Sequence, residues 1–135
     1  MKPLLLCLLL FLCTTATATP SPPLALDERR LLPVITRSMT PGSVSPRALS
    51  LPDMTPLFLV GDDPRSRRWL IDHRQRLVRL HAAGLVVNVK TMEGLQALRR
   101  LVPGLTLIPA SADEIARRLS LSHYPVLLTE QGVEP

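Results

Sequence analysis

The chain has 135 residues, enough for one small domain, and it carries 16 Lys and Arg residues against 11 Asp and Glu. Aromatic residues make up only 3% of the chain, which argues against a stacking platform for single-stranded nucleic acid. Both cysteines, Cys7 and Cys13, lie near the N-terminus. The rest of the chain has no cysteine, which excludes disulfides, thiol nucleophiles and cysteine-based metal sites there.

The N-terminal segment has the pattern of a secretory signal peptide. Lys2 gives a positive start, a leucine-rich run extends from Leu4 to Leu12, and an Ala-x-Ala sequence ends at Ala18. The apolar run is shorter than the roughly 20 residues that a membrane-spanning helix needs. We therefore expect a Sec-type signal peptide over residues 1–18, cleavage near Ala18, a periplasmic protein and no membrane span after cleavage. An uncleaved anchor is the weaker alternative.

Residues 19–56 are rich in proline, with eight of the 14 prolines of the chain. Proline removes a backbone donor and favours extended, polyproline-like segments over helices and central strands. We expect an extended arm that is ordered only in patches. Within it, the apolar run Leu31–Ile35 is suited to pack on the domain or to add an edge strand.

Residues 57–135 alternate between strand and helix patterns. The predicted strands are short apolar runs: Leu57–Val60, Leu85–Val89, Leu105–Ile108 and Val126–Thr129. Three amphipathic helices are predicted between them, with Asp63, Thr91 and Ser111 as N-caps and Gly84 as the C-cap of the first. The alternation predicts an α/β domain whose helices connect a small, mainly parallel, four-stranded sheet.

Asp62 and Asp63 follow the first predicted strand, at the carboxyl edge where open α/β sheets usually bind ligands. Adjacent carboxylates suit Mg²⁺ or Ca²⁺, but no further ligand stands at a recognisable spacing, so turn and cap roles are favoured. His73 and His81 are two helical turns apart, too distant to chelate one ion. No nucleotide-binding or nucleophile-elbow sequence is present. The sequence predicts no catalytic, cofactor or metal site.

The remaining candidate is a surface for a partner or a ligand. Arginines recur along the first predicted helix, for which a solvated helix face is the simpler explanation, and three neighbouring residues lead into the last strand. The candidate surface consists of Asp62, Asp63, Arg65, Arg68, His123, Tyr124 and Pro125.

The run from Ile115 to Gly132 resembles the late helix and proline-led strand of thioredoxin-like domains. The resemblance implies a cis bond before Pro125 and a hairpin turn at Gln131–Gly132. Where thioredoxins keep Cys-x-x-Cys after a strand, this chain has Gly-Asp-Asp-Pro at residues 61–64. The implied fold is therefore a degenerate thioredoxin-like domain without redox activity.

Over residues 50 to 135 the chain resembles a family of small exported proteins encoded in integrating conjugative elements. The resemblance rests on the runs Leu57–Pro64, Ser66–Leu70, Ala83–Val89 and Pro109–Thr129. It implies a non-enzymatic periplasmic accessory protein that assists a type IV secretion-like DNA transfer apparatus by binding other envelope proteins, without a cofactor.

Two alternatives to this function remain open. One is a metal- or ligand-dependent periplasmic enzyme that uses Asp62, Asp63 and a histidine. The other is a basic module that contacts transferred DNA, although sequence-specific recognition of nucleic acid is not expected of an exported protein.

Overall fold

The computed structural model of the protein describes residues 27–135. The predicted signal peptide and the first part of the predicted arm lie outside these residues. Among the helices in this range, none combines the length and the apolar composition that a membrane crossing demands.

The described residues form eight short strands, three α-helices and one 3₁₀ turn. The strands are β1 (Thr40–Pro41), β2 (Arg47–Ala48), β3 (Leu57–Gly61), β4 (Ala83–Asn88), β5 (Leu107–Pro109), β6 (His123–Tyr124), β7 (Val126–Thr129) and β8 (Gly132–Glu134). The helices are α1 (Pro64–Arg79), α2 (Met92–Leu101) and α3 (Asp113–Leu119), and the 3₁₀ turn is Glu28–Leu31.

The main sheet has six strands in the order β2-β8-β7-β3-β4-β5. Strand β4 pairs in parallel with β3 and β5, whereas β3–β7, β7–β8 and β8–β2 are antiparallel. The α/β class is confirmed, but the prediction of a four-stranded, mainly parallel sheet is wrong. The added strands, β2 and β8, have only two and three residues, too short for their own hydrophobic period to reveal them.

The helix starts follow the cap chemistry at two of three positions. The Asp63 side chain accepts a hydrogen bond from Ser66 N at 2.9 Å, and Thr91 Oγ1 accepts one from Gly94 N at 3.1 Å. These two predicted caps are confirmed. The third predicted cap, Ser111, is wrong: α3 begins after Ala112, whose side chain makes no cap hydrogen bond.

Gly84, expected to end the first helix, lies inside β4. Helix α1 ends at Arg79, four residues before the strand begins. A Cβ at Gly84 would collide with the Phe58 ring and with Leu107, so the glycine is needed for close packing between neighbouring strands.

The sheet separates two hydrophobic clusters. Phe58 and Val60 of β3 face α1 and α2, while Leu59 between them faces α3 and the arm. This alternation follows from the two-residue period of a strand, and it leaves β3 buried on both faces.

The described part of the arm, residues 27–56, runs extended along the α/β body. Val34 forms a bridge with Val89, β1 pairs with β6, and β2 forms an edge of the main sheet. Val34, Thr36 and Met39 are buried. The predicted boundary at Leu57 therefore marks a change in amino-acid composition, while the hydrophobic packing continues across it.

Thr36 attaches the arm to the sheet through its hydroxyl group. Its Oγ1 donates to Val87 O at 2.8 Å and accepts from Ala112 N at 3.0 Å. The Val87 carbonyl and the Ala112 N–H are shielded from water, so water cannot replace the Thr36 hydroxyl as their partner, and losing it costs stability.

Thr36→Val keeps the side-chain shape and removes these two bonds. We expect the free energy of unfolding to fall by about 1–3 kcal/mol, because the Ala112 N–H becomes a buried donor without an acceptor. Urea denaturation measures the change, and Thr106→Val, at an exposed position, is the matched control. Equal midpoints for the two variants would contradict this account of the arm.

Candidate functional site

Asp62 and Asp63 lie at the carboxyl end of β3, and each is held by a different structural interaction. Asp63 Oδ1 accepts a hydrogen bond from Ser66 Oγ at 2.7 Å, in addition to its cap bond. Asp62 forms an ion pair with Arg67 and would obstruct a side chain at Gly94, so it lies against the start of α2. The two carboxylates therefore do not point to a shared position.

His123 and Tyr124 form β6, and their side chains have different surroundings. The exposed His123 ring lies against Gly42, with Nδ1 3.1 Å from Thr40 Oγ1. The Tyr124 side chain is buried, and its hydroxyl oxygen accepts a hydrogen bond from Asn88 Nδ2 at 3.0 Å. The peptide bond from Tyr124 to Pro125 is cis.

The environment of Tyr124 includes a nearby negative charge. Burial raises the pKa of the Tyr124 hydroxyl, and the charge of Asp63 raises that pKa further, while the Asn88 hydrogen bond acts in the opposite direction. Asp63 is thus close enough to Tyr124 to influence its ionisation. His123 instead contacts the arm, so Asp62, Asp63 and His123 do not converge on one ligand position. Within residues 27–135, no group of three or more His, Asp or Glu residues is arranged to hold a metal ion.

A cleft of about 430 Å³ opens where the first half of α1 meets the arm, and we call it the α1 cleft. It brings together three residues of the predicted surface, Arg65, Arg68 and Pro125. Asp62, Asp63, His123 and Tyr124 do not line it; His123 lines a smaller cleft on the other side of the arm. The lining of the α1 cleft consists of Gly42, Ser43, Val44, Arg65, Arg68, Trp69, Asp72, His73, Pro125 and Pro135.

Two aromatic side chains that sequence reasoning did not assign to the site line this cleft. Trp69 is only 8% exposed, and the His73 ring stacks on it with centroids 4.4 Å apart. His73 Nδ1 lies 2.9 Å from Trp69 O, an acceptor, so this nitrogen carries the hydrogen. In the neutral ring, Nε2 is then left as an acceptor. The four-residue spacing on one helix was the available signal for this pair.

The rim of the α1 cleft is mainly cationic. Arg65 Nη1 lies 3.5 Å from Ser43 Oγ, and no acidic partner of Arg65 occurs within the described part of the chain. Arg68 pairs with Asp72 at 3.4 Å, but both side chains are largely exposed, so this ion pair contributes little to the free energy of unfolding. The arrangement is suited to bind a group with negative charge and an apolar part.

Comparison with known proteins identifies one family. The family described as "Protein of unknown function (DUF2859)" matches residues 12–133, a range that includes all of the predicted arm and nearly all of the α/β body. No curated protein and no solved structure matches the chain.

Tyr124 is the only tyrosine of the chain, so its ionisation can be followed by ultraviolet absorbance. We expect its pKa to lie above the ordinary tyrosine value. Asp63→Asn should lower that pKa by removing a nearby negative charge, and Asn88→Ala should raise it by removing a donor to the phenolate.

Asp62→Asn is the matched control for this titration, since the Asp62 carboxylate is paired with Arg67. Asparagine also remains a good N-cap at position 63. A pKa that is the same in all four proteins would refute the described surroundings of Tyr124.

Proposed function

This chain belongs to the DUF2859 family, and we propose that it is an exported, non-enzymatic accessory protein that binds other envelope proteins through the α1 cleft. We further propose that it acts in the periplasm, at the type IV secretion-like DNA transfer apparatus of an integrating conjugative element. The resemblance of residues 50 to 135 to exported proteins of such elements supports this setting.

The observation that carries the proposal is the composition of the α1 cleft. Guanidinium groups of Arg65 and Arg68 stand beside an apolar surface from Val44, Trp69 and Pro125. Arginine and tryptophan are among the residue types enriched at the positions that contribute most to binding at protein interfaces. This combination favours recognition of a protein segment.

The enzyme alternative loses its main support because both aspartates have structural partners. Asp63 caps α1 through Ser66, and Asp62 pairs with Arg67. A catalytic carboxylate needs access to the atoms of its substrate, and these two side chains are engaged elsewhere.

The DNA-binding alternative depends on the arginines of α1. Two arginines of the helix outside the α1 cleft are paired with acids, which reduces the positive field of the helix: Arg67 with Asp62, and Arg76 with Glu134. Binding to phosphates is dominated by net positive charge, so partial neutralisation favours a protein partner over DNA.

Transfer frequency from a donor that lacks the gene tests the proposal. Complementation with Arg65→Glu/Arg68→Glu should leave transfer at least about tenfold below wild type, since reversing two central charges costs a binding site more than about 1.4 kcal/mol. Arg74→Glu/Arg79→Glu reverses two exposed arginines of the same helix outside the cleft, and it should restore transfer.

The amount of exported protein and its thermal melt would show whether each variant folds. A copy without residues 2–18 should fail to complement, because the proposal places the protein in the periplasm. Normal transfer in the deletion strain, or full rescue by the cleft variant, would contradict the proposal.

A further inference from the structure

The α1 cleft has more positive than negative side chains at its rim. We propose that it receives an extended peptide segment with a side-chain carboxylate, an inference that rests on the proposed binding function. Among the lining side chains, the two arginines Arg65 and Arg68 outnumber the one acidic side chain, Asp72. Charge complementarity therefore selects an acidic segment over a neutral or a basic one.

The two arginines are available at low cost to an incoming carboxylate. Arg65 has the neutral Ser43 hydroxyl as a partner, at the outer limit of hydrogen-bond distance. The partner of Arg68 is Asp72 on the next helical turn, in an exposed pair that is easily exchanged. A guanidinium group binds carboxylate oxygens through paired, charge-assisted hydrogen bonds, which are about twice as strong as neutral ones.

The arm gives the peptide a main chain to pair with. Gly42 N donates to Tyr124 O at 3.0 Å, and the arm then leaves β6. Within residues 27–135, the backbone groups of Ser43, Val44 and Ser45 form no hydrogen bond to another backbone group. An extended peptide beside them would gain main-chain hydrogen bonds, as peptides do at exposed strand edges.

The cleft also limits what else the segment carries. Its volume of about 430 Å³ lies in the range of sites that enclose small ligands, so it admits a few side chains and not a helix. Val44, Trp69 and Pro125 give an apolar surface next to the arginines. The fitting sequence therefore places an apolar residue beside an aspartate or a glutamate.

Trp69 is the only tryptophan in the chain, so its fluorescence reports directly on the cleft. We would titrate the purified full-length exported protein with three peptides, acetylated and amidated at their ends. They repeat Asp-Leu-Ser, Asn-Leu-Ser or Lys-Leu-Ser four times; the Asp and Asn peptides have nearly the same shape and differ in charge, and the Lys peptide is positively charged. The Asp peptide should bind at least about tenfold more tightly than the Asn peptide, a difference of about 1.4 kcal/mol.

Variants of the protein locate the effect. Arg65→Glu/Arg68→Glu should weaken the Asp peptide at least about tenfold, whereas Arg74→Glu/Arg79→Glu should change its affinity less than about threefold. Equal loss in both variants would indicate diffuse attraction to the helix and would overturn the assignment to the cleft.

The remaining outcomes separate this inference from the proposed function. Equal binding of the Asp and Asn peptides would refute the carboxylate and leave the binding role intact. No binding of any peptide up to about 1 mM would refute a peptide site, since that affinity is weak even for transient complexes. A loss of transfer in the cleft variant would still support the proposed function in either case.

Discussion

The position of the arm depends on a short chain of buried and part-buried hydrogen bonds that begins at Thr36. The Thr36 hydroxyl group connects the end of β4 to the residue that precedes α3, and its backbone N–H donates to Asn88 Oδ1 at 2.9 Å. Asn88 then donates to the Tyr124 hydroxyl, next to Pro125. Buried polar groups are costly unless they are paired, so the network favours this arrangement of arm, sheet and β6. The wall of the α1 cleft is a consequence of that arrangement.

Close backbone approach makes the same region intolerant of side chains. A Cβ at Gly42 would lie 2.6 Å from Nδ1 of His123, and one at Gly61 would lie 2.5 Å from the ring of Tyr124. Glycine at these positions allows the arm to contact β6 and β3 to pass beside Tyr124. The cleft therefore has a fixed wall on the arm side, which limits the entropy lost on binding, whereas the flexible arginine side chains on the helix side lose rotamer freedom when they bind.

Hydrophobic runs and cap residues predicted the central elements of this fold. The strand patterns at Leu57–Val60 and Val126–Thr129 correspond to β3 and β7, and Asp63 begins α1 as its chemistry requires. The order of strands was not predictable, because β7 pairs antiparallel with β3 across a long stretch of chain. Nor was the attachment of the arm, since Thr36 and Val87 are 51 residues apart and no local pattern encodes such a bond.

The sequence also could not show which residues of the predicted surface lie together, because they come from distant parts of the chain. Arg65, Arg68 and Pro125 do meet in the α1 cleft, whereas Asp62 and Asp63 were grouped with them only because the carboxyl edge of a sheet often binds ligands. In this chain, cap and ion-pair interactions hold the two aspartates. The arm residues of the cleft could be found only from the folded chain, since their sequence is an ordinary run of small residues and proline.

The proposed function requires that a partner occupies the α1 cleft in the donor cell. The most direct measurement replaces Val44, inside the cleft, or Ile71, exposed on α1 outside it, with the photo-cross-linker p-benzoylphenylalanine. After irradiation of donor cells that carry the transfer apparatus, we expect a discrete adduct from position 44 that disappears with Arg65→Glu/Arg68→Glu, and none from position 71. An adduct from position 71 alone, or one from position 44 that survives the arginine substitutions, would contradict the proposed function.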